Sequence, residues 1–214
     1  KSKKNLLIDG LYIDATNTGL TVTGLKIEGL WNSTFQNYTM LSRTNVGSEN
    51  TTNIGVDIYT SEPTGVGAGL GFGAYDITFN NPYIIRGNIG IRTNRQTSDT
   101  GIDVTHLMIN GGWIGSQTSY NLHLNYAHNV QIRNIATDVI LSGAVAYQLD
   151  NCHQGEIFVG EYNSGSLAVV ATTSDFINFI TPNVLNVGAA ITGNNYTLQS
   201  ATKLRLRPTF NDDY

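Results

Sequence analysis

The stretch Leu107-Met108-Ile109-Asn110-Gly111 decides the fold. Residues two apart on an extended strand share a face, so Leu107 and Ile109 point the same way. Asn110 and Gly111 then supply residue types that tolerate the left-handed backbone of a sharp corner. The same ending recurs in Leu6-x-Ile8-Asp9-Gly10, Leu25-x-Ile27-Glu28-Gly29, Ile77-x-Phe79-Asn80-Asn81 and Val130-x-Ile132-Arg133-Asn134. Val56-x-Ile58 and Ile157-x-Val159 keep the apolar pair with a looser ending. With the second apolar residue as anchor, the repeat runs through Ile8, Ile27, Ile58, Phe79, Ile109, Ile132 and Val159, in uneven steps of 19 to 31 residues.

A second short strand follows several anchors (Leu11–Ile13, Tyr83–Ile85, Val139–Leu141), and a third precedes the next (Leu20–Val22, Ile89–Ile91, Leu122–Leu124, Ala146–Leu149). Helical apolar periodicity is missing from long runs. Three strands per repeat with unequal loops predict an all-β, right-handed parallel β-helix of about seven to eight rungs, each rung stacking on its copies. The helix is expected over residues 1–190, with 191–214 as a C-terminal cap or a link to an oligomerisation element. A leucine-rich repeat needs a more regular period and a fixed frame. An antiparallel β-sandwich is the alternative architecture. Residues 61–73, rich in Gly, and 92–103, rich in polar residues, read as excursions from the coil. The start at Lys1, with a strand expected by Leu6, suggests a piece of a longer protein.

The chain has 214 residues and 40% hydrophobic content, enough for a sizeable core. Only 13% of residues are charged and the net charge is −4, which argues against nucleic acid as a partner, since phosphate binding needs a cationic surface. Membrane insertion is not expected either, for no apolar run has the length of a spanning helix. One cysteine, Cys152, permits no intrachain disulfide. Phosphate-loop, zinc, calcium and nucleophile-elbow motifs are missing, and the four histidines at 106, 123, 128 and 153 show no ligand spacing. No metal and no cofactor is expected.

With the anchors inward, the residues between them form a solvent face. Its middle is expected to gather Glu28, Asp57, Tyr59, Asp76, His106 and Arg133. Two carboxylates can supply acid and base for glycosidic cleavage. Asp57 and Asp76 are the candidate pair, with Glu28 and His106 beside them, because Asp76 next to His106 can shift a pKa. Lys26 and Arg133 are candidates for holding acidic sugars, and Asn80 and Asn110 for binding hydroxyls. Tyr59, Trp31 and Trp113 are candidates for stacking on sugar rings, although both tryptophans equally suit anchoring a loop. A soluble sheet carries scattered polar residues without any site.

The recurring Ile-Asp-Gly, Ile-Glu-Gly and Ile-Asn-Gly strand ends resemble those of pectate-lyase-like right-handed β-helix proteins, especially phage tailspikes and tail appendage proteins. The resemblance covers residues 5–185. It implies a homotrimer on a virion tail or otherwise extracellular, which binds, and in many members cleaves, bacterial surface polysaccharide. The polygalacturonase signatures N-T-D, G-H-G and R-I-K are missing, so no catalytic residue carries over. A stand-alone polysaccharide lyase or glycoside hydrolase and a non-catalytic structural shaft are the other function classes.

Overall fold

The computed structural model describes residues 3–16, 20–43, 50–60, 73–95, 103–138, 144–162, 169–172, 175–181, 196–198 and 204–208, with side chains from Asn5 to Phe158. Among these residues every element is a strand, and every strand pair is parallel. That excludes the antiparallel sandwich. The strands form two curled sheets, one of 13 strands and one of seven, in a solenoid-like arrangement.

Three columns of strands make up the coil. The first stacks Leu7–Asp9, Leu30–Gln36, Tyr75–Asn80, Val104–Asn110 and the first half of Ala127–Thr137, then His153–Tyr162, Asp175–Thr181 and Leu204–Pro208. The second stacks Tyr12–Asp14, Thr39–Leu41, Tyr83–Ile85 and Trp113–Gly115, and the second half of Ala127–Thr137 joins it to the first as one large sheet. The third, the small sheet, stacks Thr23–Glu28, Ile54–Thr60, Ile89–Arg95, Tyr120–Asn125, Val145–Asp150, Val169–Thr172 and Tyr196–Leu198. The strands of the 191–214 tail thus pair in register on the coil before them.

Phe35, Phe79, Ile109, Ile132 and Ile157 are successive cross-strand partners in the first column, and all are buried. The two phenylalanine rings stack at 4.9 Å. This register corrects the expected anchors. Phe79, Ile109 and Ile132 belong to one column as expected, but Ile27 and Ile58 lie in the small sheet, and Ile157 takes the place assigned to Val159. The cause is physical. Strands entering different corners end alike, because each corner needs a left-handed residue after an inward apolar pair.

Those left-handed residues themselves line up. Asn5, Asn32, Asp76, His106, Asn129 and Gln154 share one level of the first column, each with φ between 49° and 58°. Gly10, Asn37, Asn81, Gly111 and Asn134 share the next corner. Asn is the commonest of these residues because its short amide stabilises that backbone locally. The Asn richness of the sequence is therefore partly architectural.

The excursions are only partly visible. Residues 61–72 and 96–102 lie outside the described residues. Arg92–Arg95, expected in a loop, instead completes the strand Ile89–Arg95. The expected strand Val139–Leu141 also lies outside them. At Gly90 a Cβ would sit 2.4 Å from both the Asn121 carbonyl oxygen and the Ile114 side chain, so two walls of the coil meet there. Gly90→Ala is expected to cost about 1–3 kcal/mol by overpacking, read as a lower urea midpoint with unchanged slope. An unshifted midpoint would show that the walls are looser than drawn.

Candidate functional site

The register divides the expected face in two. Lys26, Asp57, Arg92, His123 and Gln148 are successive partners on the small sheet, as are Glu28, Tyr59, Asn94, Asn125 and Asp150. Asp76, Asn80, His106, Asn110 and Arg133 lie on the large sheet. Asp57 and Asp76 therefore do not share a face, and the expected acid pair is not assembled. The error follows from the anchors: reading Ile27 and Ile58 into the first column carried their outward neighbours with them.

Asp57 is also committed. It is 8% exposed, and Arg92 Nε and Nη2 donate to its two oxygens at 2.8 Å each. The hydrogen bonds to Asp57 raise the Arg92 pKa, against the opposing effect of burial. A forked pair of this kind fixes geometry and occupies the carboxylate. Beside it, Lys26 Nζ lies 4.6 Å from the Tyr59 ring centroid, and a side-chain hydrogen bond with Tyr59 raises the Lys26 pKa. Glu28 is exposed on the same sheet.

Asp76 and His106 do meet, Oδ1 to Nδ1 at 2.9 Å, with both side chains about half exposed. The flanking coils place Asn32 and Asn129 at this level. Among the described residues no second carboxylate flanks the pair at this level of the column. Cys152 offers no nucleophile, since burial pushes its thiol up to about 12. Among the described residues no three His, Cys, Asp or Glu side chains group to hold a metal.

The polar candidates gather at the other end of the same strands. Gln36, Asn80, Asn110 and Arg133 are successive partners along the stack, one per coil. With Asn81, Gly111 and Asn134 from the adjoining corner they line an open groove of about 450 Å³. Asn110 Nδ2 donates to Asn80 Oδ1 at 3.1 Å. Arg133 stands 3.6 Å from Glu156, both half exposed, which is a loose pair. Sequence reasoning named Asn80, Asn110 and Arg133 but missed Gln36, Asn81 and Asn134. The dipeptides Asn80-Asn81 and Arg133-Asn134 were the available signal; Gln36 was out of reach without the register.

The aromatics separate by role. Trp31 Nε1 donates to the Gly73 carbonyl at 2.9 Å, and the indole meets Tyr75 edge-on at 5.2 Å, so it anchors chain to coil. Trp113 pairs in register with Tyr83 on the face beyond the Asn81 and Gly111 corner, where Tyr83 is 42% exposed. Comparison with known proteins finds no family model, no curated protein and no solved structure that matches this chain.

Asp57→Asn should destabilise the fold without touching the groove. Loss of a charged hydrogen bond costs about 1.5–3 kcal/mol, and a double-mutant cycle with Arg92→Gln should recover most of it as coupling. Additive effects would show that the fork contributes nothing of its own. Native Cys152 should resist iodoacetamide at pH 8 and react on unfolding, as mass spectrometry would show; rapid native alkylation would contradict its burial.

Proposed function

We propose that this chain is a right-handed parallel β-helix of about seven to eight rungs from a tailspike-like protein, and that it binds bacterial surface polysaccharide in the amide groove. The observation that carries the reading is the in-register row Gln36, Asn80, Asn110 and Arg133. Side-chain amides both donate and accept, as sugar hydroxyls do, and three amides and a donating guanidinium, one side chain per coil, give repeated contacts to a repeating polymer. Tyr83 and Trp113, just past the corner, supply faces for sugar rings. The right-handed sense follows the strong preference of parallel crossover connections. The homotrimer and the virion-tail or extracellular placement rest on the resemblance of the strand ends.

Binding without cleavage is the favoured form, because the acid pair is not assembled. Cleavage is the second reading, and the Asp76 and His106 contact is the observation in its favour. The test is a panel of bacterial surface polysaccharides, scored for binding by calorimetry and for shortened products by mass spectrometry. Intact ligand is expected, with affinity falling at least tenfold, about 1.4 kcal/mol, in Arg133→Ala and in Asn110→Ala. Shortened products that vanish in Asp76→Asn would make the protein an enzyme. No binding across the panel would favour a structural shaft.

A further inference from the structure

The fold gathers three of the four histidines, which the sequence scatters. His128 and His153 are cross-strand partners in the large sheet, their rings 6.4 Å apart and nearly perpendicular. Thr105 pairs with His128, so His106 sits on the preceding coil one residue along, roughly 6 Å away by backbone spacing. The three lie at one edge of the outer face whose other edge is the amide groove, roughly 13 Å along the strands.

The hydrogen bonds of His106 and His128 each engage one ring nitrogen. Asp76 Oδ1 accepts from His106 Nδ1 at 2.9 Å, and the His106 side chain is about half exposed. Gln154 Oε1 accepts from His128 Nε2 at 3.1 Å. Among the described side chains few groups face this strip. The preceding strand brings Tyr75 and Asp76. The following strand brings Gln154 and, further along, Glu156, which stands near Arg133. The strand Asp175–Thr181 sets Asp175 opposite His153 in register. Three imidazoles thus stand beside the Asp76 carboxylate, so protonation adds positive charge to the strip.

We propose that His106, His128 and His153 form a proton-gated strip that takes the carboxylates of an acidic polysaccharide, extending the amide groove across the same face. The inference rests on the groove being a glycan site. Histidine is the side chain that ordinarily gains charge between about pH 8 and 5. Ligand is held at neutral pH by the groove and Arg133, and more tightly as pH falls and the strip charges. By linkage, binding must also draw protons onto the protein.

The test is calorimetric titration of the whole chain with polygalacturonate, whose carboxylates stay ionised over the range, at pH 7.5 and 5.5 and constant ionic strength. Affinity should rise at least tenfold at the lower pH. The gain should fall below twofold in the folded triple variant His106→Asn, His128→Asn, His153→Asn. It should persist in His123→Asn, on the small sheet. His128→Lys should raise affinity at pH 7.5 and flatten the pH response, which keeps the test open if the triple variant misfolds. A pH-independent affinity that Arg133→Ala still weakens overturns the strip and leaves the groove reading standing. A gain that survives the triple variant, or disappears in His123→Asn, also overturns the strip. No binding of polygalacturonate at either pH overturns the strip, and the groove reading falls with it only if the panel of bacterial surface polysaccharides also fails to bind.

Discussion

Everything in this molecule depends on parallel strands pairing in register from coil to coil. The ladder bonds each strand to the copies before and after it, so inward side chains of one column have like neighbours above and below. Phe35 on Phe79, then Ile109, Ile132 and Ile157, is the clearest such line. A one-residue slip would turn that line to solvent, and the outward row beside it would turn inward. The core and the outer face are therefore set by the same constraint. The groove is a row only because the core is one.

Register also explains how chemistry is distributed over the surface. Residues far apart in the chain become neighbours when they hold the same level of a column. Asp57 and Arg92, 35 positions apart, become a partly buried fork in this way, and Asp76 and His106 become a surface pair. Carboxylates so placed are mostly spoken for. The amides are less constrained, and they collect where strands end, because corners select Asn for its backbone as well as its side chain. A surface rich in hydrogen-bonding amides and poor in free charge is thus a by-product of how the coil bends.

The architecture was legible in the sequence because each strand end carries its own signal: an inward apolar pair followed by a left-handed corner. Ile77 to Asn81, Leu107 to Gly111 and Val130 to Asn134 were read in their true column. Leu25 to Gly29 carries the same signal at a different corner, and nothing local distinguishes the two. That ambiguity placed Asp57 beside Asp76. The groove was half legible, since Asn80, Asn110 and Arg133 sit on correctly assigned coils. Gln36 was hidden because Phe35, its inward neighbour, stands in Ser33-x-Phe35, which lacks the apolar pair.

The corner between the small sheet and the next coil has a consequence for how such a chain can grow. Tyr126 alone joins Asn125 to Ala127 there, whereas residues 61–74 join Thr60 to Tyr75 at the same corner two turns of the ladder earlier. Pairing on both sides of the longer connection keeps its register. Length is thus free at this point while everything flanking it is not. The coil behaves as a ruled spine with expandable margins, where new sequence can be accepted without rewriting the core beneath it.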